Sequence, residues 1–289
     1  SLGNLTYRNA ISVRNDPDFD NDIKRLILGI NQAKGGGVKT IAIEYYEPET
    51  VFIPQGSFWM GSVPEAGIPS HESPQHEIDL PDYRIGKYPV TNAQYEEFVR
   101  ETKRSVAPEM EWAGQRVLPG LEKLPVAGVS WHDAQDYCAW LGKKTGREYS
   151  LPNEAQWEKA CRGTEKRIYP WGDSFDAERC NHGRPQIASV DACPAQNEYG
   201  CFDLVGNVRQ WTCTLWGEKR IVPDSRYAYP WKEDGRNDLS ASRQVRRVVR
   251  GGSLKDDLKF LRCSARSGQA PDDIGLPGAR HSFRVVMSV

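Results

Sequence analysis

Cysteines, paired acids and a run of arginines are the residues of this chain whose chemistry could bind or transform something. The seven cysteines stand at 138, 161, 180, 193, 201, 213 and 263. None forms a CxxC pair, so a zinc ribbon is not expected. Their odd number and irregular spacing do not resemble a secreted disulfide scaffold. Buried, reduced thiols in a cytoplasmic protein are the expectation, with a Cys193–Cys201 bridge as the alternative. Asp256-Asp257 and Asp272-Asp273 could hold a cation or a basic partner, or simply be solvated loop acids. The arginines at 246, 247, 250, 262, 266, 280 and 284 suggest either an anion site or planar forks that anchor irregular backbone.

Both acid pairs and five of these seven arginines fall in the last forty positions, Arg250 to Val289. Strands are expected at Arg247–Val249 and Phe283–Met287, with an irregular loop over Ser267–Arg280 in between. Gly268, Pro271, Gly275, Pro277 and Gly278 block long regular elements there. An irregular segment held at both ends by strands presents a variable surface on a rigid frame.

The rest of the chain must supply that frame. Val51–Pro54 and Gly56–Ser62 read as a hairpin turning at Gln55-Gly56, and His76–Leu80 and Tyr83–Tyr88 as further strands. Three short helices have legible starts. Thr91 and Gln94 form a capping box ahead of a Tyr95, Phe98, Val99 stripe. Ser130 opens a helix with Ala134, Tyr137, Cys138 and Leu141 inward. Asn153 caps a third, with Trp157, Ala160 and Cys161 inward and Gly163 as its stop. Regular structure thins out after Tyr169, and the class is α+β. Residues 1–45 read as a separate N-terminal segment: a short strand at Ala10–Val13, a helix from Asp22 to Ile30, then Lys34-Gly35-Gly36-Gly37 as a linker. The main domain spans 46–289.

Taken together, eight blocks appear in a recognisable order. They are Phe52–Ser62, Pro89–Tyr95, Pro125–Trp131, Leu151–Glu158, Tyr169–Gly172, Gly206–Val208, Arg250–Ser253 and Phe283-Arg284. Over residues 46–289 the chain resembles the formylglycine-generating-enzyme, or sulfatase-modifying-factor, family. The resemblance implies a C-type-lectin-like fold with a small antiparallel sheet, short helices and extensive loops. The enzymes of that family bind copper(I) through two cysteines just after the GGS block, since soft thiolates favour that ion. Here Leu254 to Arg262 contains no cysteine, and Cys263 matches a different family cysteine, so formylglycine generation is not expected. The related sulfoxide synthases hold iron on a histidine-rich helical domain. His71, His76, His132, His182 and His281 make no i, i+4 pair with a carboxylate, so iron is not expected either.

A third branch, the variable proteins of diversity-generating retroelements, fits better. Their diversified segment runs from an RGGS-like block to a terminal GFRV-like strand, as Arg250–Val289 does with Ser282 in place of the usual glycine. That resemblance implies ligand binding through exposed positions, for which the candidates are Leu254, Asp256, Asp257, Phe260, Ser264, Ser267, Asp273, Leu276, His281 and Ser282. Arg209 and Trp216 would border the cleft, with Trp211 a core position. A protein or peptide ligand is expected. A divergent family oxidase and an invariant accessory domain are the alternatives. The family also implies a structural calcium on Asp203, Gly206, Val208 and Gln210, where Gln210 replaces a usual glutamate. Asn181 matches a second calcium position that lacks its acidic partner. A loop held by hydrogen bonds alone is the alternative. The N-terminal segment is loosely similar to the end of TIR-type signalling domains, which implies an upstream signalling or effector domain.

Bulk properties exclude other classes. Formal net charge is −1 and pI about 6.5, so no nucleic-acid or membrane-surface partner is expected. No apolar run approaches a membrane span and no signal peptide is evident; the chain opens on Ser1 rather than Met, which leaves its native N-terminus open. With 38% hydrophobic residues and nine tryptophans it can build a real core.

Overall fold

A computed structural model describes residues 45–289 apart from Glu111. The expected strand at Ala10–Val13 and helix from Asp22 lie outside the described residues. In chain order the strands are β1 (Thr50–Ile53), β2 (Gly56–Met60), β3 (His76–Leu80), β4 (Tyr83–Gly86), β5 (Tyr149–Ser150), β6 (Arg209–Gly217), β7 (Arg246–Arg250), β8 (Arg266–Gln269), β9 (Gly275–Leu276), β10 (Ala279–Ser282) and β11 (Val286–Met287). The helices are α1 (Asn92–Thr102), α2 (Trp131–Thr145) and α3 (Glu154–Arg162).

All three helices start where their caps stand. Thr91, Ser130 and Asn153 each accept a hydrogen bond from the third helical N–H, and the side-chain oxygen at that position accepts one from the cap's backbone N–H. Reciprocal capping of this kind satisfies two orphan donors and is typically worth about 1 kcal/mol. The stripes are buried as the helical period requires: Tyr95, Phe98 and Val99 on α1, and Ala134, Tyr137, Cys138 and Leu141 on α2. Together with Trp211 and Phe283 they form one aromatic-rich core cluster.

The sheets depart from expectation in two places. β1 and β2 do not form a hairpin. β1 pairs with β4, and β2 pairs with β3, because the chain leaves one sheet at Pro54 and enters a separate two-stranded ribbon. The expected C-terminal strand is also broken. β10 joins a five-stranded sheet in the order β8-β7-β6-β10-β9, parallel to β6 with His281 opposite Arg209. β11 joins a four-stranded sheet in the order β1-β4-β11-β5. The link Phe283-Arg284-Val285 is fully buried between them. Half of the segment expected to be irregular, Ser267–Arg280, is therefore strand, through β8 and the β9–β10 hairpin.

Candidate functional site

The five-stranded sheet carries a cavity at the ends of β6 and β7. Arg250 at the end of β7 pairs with Arg266 at the start of β8 and with Gln210 on β6. The chain then turns through Gly251 (φ +89°) and Gly252 (φ +63°). Side chains are excluded there: a Cβ on Gly251 would fall 2.5 Å from the Leu204 carbonyl, and one on Gly252 2.8 Å from that of Phe260. The turn leaves a cavity of about 180 Å³, whose lining includes Arg209, Arg220, Gly251, Asp256, Phe260 and Ser267.

Arg209 and Asp256 form a bidentate ion pair across this cavity, with Nε to Oδ2 at 2.8 Å. Ser253 Oγ donates to the same carboxylate at 2.8 Å. Burial alone would raise the Asp256 carboxyl, but the bonds and charge of Arg209 outweigh it and hold the pKa below the ordinary value.

Beneath the cavity lies a buried ionic layer. Glu158 on α3 pairs with Arg250 and, at 3.0 Å, with Arg162, and accepts the Gly61 N–H. Glu154 pairs with Arg266 at 2.7 Å. Glu72 takes the Arg262 fork at 2.7 and 2.9 Å. The same forks bond backbone: Arg250 donates to the Ser264 and Cys263 carbonyls. Arg284 donates to those of Gly86, Phe202 and Asp203. Anchoring is what most of these arginines do. No sequence signal set Glu154 and Glu158 apart, because helix α3 reads as amphipathic while the structure buries it on nearly all sides.

Several candidate positions need correction. Leu254, Ser264, His281 and Ser282 are buried and present no surface. Ser264 is held in the Glu72–Arg262 pair. His281 bonds the Asp273 carbonyl and packs edge-on against Trp211, and Ser282 sits opposite Gln210 in the sheet. Trp216 does not border the cleft. It is fully buried, between His71 and Arg266, with Gly268 too close to admit a Cβ. Asp256, Phe260, Ser267 and Arg209 converge on the cavity. Asp257 is exposed nearby, while Asp273 and the 75%-exposed Leu276 belong to the separate β9–β10 hairpin.

The calcium set does not fit a cation as a whole. Gln210 Oε1 accepts from Trp157 Nε1 at 2.9 Å and Arg284 Nε at 2.6 Å, while its amide nitrogen donates to the Asp203 carbonyl at 2.6 Å. That amide has no oxygen left to offer. The Gly206 carbonyl already accepts the Val208 N–H. Asp203 is buried with a bond from Asn207, and burial pushes its carboxyl up to about 7 against that bond and the Arg284 charge. Asn181 bonds Asn207 through its amide nitrogen, so this loop is knit by amides. Among the described residues no group of three His, Cys, Asp or Glu side chains could hold a metal ion.

All seven cysteines are free thiols, and only Cys193 is not fully buried. Cys161 and Cys263 lie 2.9 Å apart, sulfur to sulfur, inside the core rather than at the cavity. Among the described residues no helix is long and apolar enough to cross a membrane.

This architecture, short capped helices and small sheets framing a loop-built cavity, is the C-type-lectin-like fold of the formylglycine-generating-enzyme type. The profile of the "Sulfatase-modifying factor enzyme 1-like domain" matches residues 39–289, and the chain belongs to that family. The chain is 33% identical to the "Inactive C-alpha-formylglycine-generating enzyme 2" of Bos taurus, over 78% of this chain and 90% of that protein. It is 34% identical to "Serine/threonine-protein kinase pkn1" of Chlamydia caviae over 83% of this chain but 38% of that one, where the matched domain is part of a longer protein. PvdO from Pseudomonas aeruginosa superposes with a TM-score of 0.66 at 26% identity, covering 85% of this chain and 96% of that one. The Treponema denticola variable protein 1 shares the fold, with a TM-score of 0.62 at 18% identity and coverage of 83% and 95%.

Proposed function

We propose that this domain is a non-catalytic ligand-binding module whose binding face is the cavity beside Gly251-Gly252 and the loops around it. One observation carries the reading. Where the family resemblance calls for copper-binding thiolates after the GGS block, the side chain over the cavity is Asp256, locked to Arg209. Two hard carboxylate oxygens already engaged by a guanidinium do not hold a soft copper(I) ion. The relative named as inactive supports the same reading. Incubation with copper, oxygen and a cysteine-containing peptide should give no aldehyde. Turnover that is lost in Cys263→Ser would overturn the binding-only function and restore the oxidase.

Within this reading, the domain displays a diversified surface to a protein or peptide ligand, in the manner of retroelement variable proteins. The fold shared with the Treponema protein is compatible with this. Buried Leu254, Ser264, His281 and Ser282 confine diversification to Asp256, Asp257, Phe260, Ser267, Asp273 and Leu276. Sequencing around the gene tests it: a reverse transcriptase beside a near-copy of the final segment is expected. Its absence would leave an invariant accessory domain, a role that also suits a module carried in longer chains such as pkn1.

A further inference from the structure

We infer that the cavity beside Gly251-Gly252 is a carboxylate-binding site, and that Asp256 is its built-in competitor. The inference rests on the binding reading above and names the ligand chemistry of the same site.

Charge is the first argument. The cavity lining includes Arg209, Arg220, Arg250 and Arg266 but a single acid, Asp256. The layer beneath offsets part of this excess, since Glu158 and Glu154 pair with Arg250 and Arg266. Counting each residue once, Arg162, Arg209, Arg220, Arg250, Arg262 and Arg266 face Asp256, Glu72, Glu154 and Glu158, six guanidiniums against four carboxylates, because Glu158 serves two arginines and Arg220 pairs with none of the four. Arg250 Nε and Arg266 Nε are buried without a hydrogen-bond partner. Arg220 is exposed and has no ion-pair or hydrogen-bond partner among the described residues. An arginine fork with no partner at a cavity mouth is a ready donor pair for a planar anion.

Size and shape are the second. About 180 Å³ is well under the roughly 300 Å³ at which pockets for drug-sized ligands begin. It suits one acidic side chain or a small organic acid. Val249, Phe260 and Ala265 supply an apolar wall for the methylene portion. The bidentate Arg209–Asp256 geometry shows what the site prefers, since a carboxylate from the chain itself already sits on one of its guanidiniums. An incoming carboxylate meets Arg220 directly and competes with Asp256 for Arg209. Ile221 and Val222, next to Arg220 and both exposed, offer contacts to a peptide that extends out of the cavity but none to a free acid.

Calorimetric titration with two probes tests this. One is succinate; the other is a capped pentapeptide with a central Glu flanked by Leu, run beside the same peptide carrying Gln. The Glu peptide or succinate should bind, and the Gln peptide at least tenfold more weakly. Arg220→Glu should abolish binding, and because Arg220 is exposed with no partner among the described residues this variant should fold. Asp256→Asn should bind at least fivefold tighter, by freeing Arg209. A site in which Asp256 is merely a ligand contact gives the opposite sign. Binding of the Glu peptide without succinate assigns the source to a polypeptide, and the reverse assigns it to a small acid. No binding of either probe to wild type and Asp256→Asn, or equal binding of Glu and Gln peptides, overturns the inference. It does so without touching the non-catalytic reading, which only copper-dependent turnover would remove.

Discussion

Both halves of the described domain have an apolar core, but they differ in what else their interiors hold. Around α1 and α2 the core is apolar and aromatic: Tyr95, Phe98, Tyr137 and Phe283 meet edge-on or stacked at centroid separations of 5.1–6.4 Å. Around α3 and the cavity, the interior holds Glu72, Glu154, Glu158, Arg162, Arg250, Arg262, Arg266 and Arg284, all buried. Apolar packing is non-directional and tolerates repacking. A buried ion pair is directional, and its geometry must be met or both charges are stranded. The helical half needs only a well-filled core, whereas the cavity half must hold loops in one conformation. Arginine forks do that by bonding several carbonyls at once.

Breaking the ionic half should have the largest effect. Glu158→Ala strands Arg250 and Arg162 and removes the acceptor of the Gly61 N–H; a loss of about 3–5 kcal/mol is expected in chemical denaturation. Replacing Glu158 and Arg250 together by methionine should cost less than the single change. If it costs as much, the charges matter as attraction rather than as fixed geometry. In the apolar half, Leu141→Ala should cost about 3 kcal/mol by leaving a cavity, with no change in pH dependence.

Asp203 separates the two halves by pH. Its folded pKa of about 7 lies above the ordinary carboxylate value, so between about pH 4 and 7 the folded state binds more protons than the unfolded one. This group therefore destabilises the fold as pH rises through that window. His71, held near 4 by burial and the Arg266 charge, and buried His281, also lowered, act in the opposite direction as their partners in the linkage. The variant-minus-wild-type difference isolates Asp203. Asp203→Asn should gain on the order of 1–3 kcal/mol at pH 8, and nothing near pH 4. Added calcium should leave the wild-type melting temperature unchanged at pH 8; a rise would reinstate the metal. The smallest effect is expected at the hairpin: Leu276→Ala should change stability by less than about 0.5 kcal/mol, since the side chain is mostly exposed.

Different features were legible in the chain for different reasons. Helix starts at Thr91, Ser130 and Asn153 are local chemistry, a side chain bonding an amide three residues on, so their spacing predicts them. Strand partners are not local. Val51–Pro54 and Gly56–Ser62 alternate like a hairpin, and only competition from β4 and β3 sends them into different sheets. Surface positions in the last forty residues were half legible. Leu276 and Asp257 are exposed as expected, but Ser264, His281 and Ser282 are polar residues buried by tertiary bonds that no periodicity announces.

What the sequence by itself determined is the family, the helices and the absence of thiols from Leu254 to Arg262, because each is a matter of residue identity and short spacing. Only the tertiary structure decided that Gln210 bonds Trp157 and Arg284 instead of offering an oxygen, and that Asp256 reaches Arg209, 47 residues away in the chain. Hydrogen-bond and ion-pair partners are chosen by distance in space, and that distance exists only once the sheets have brought β6, β7 and β8 together.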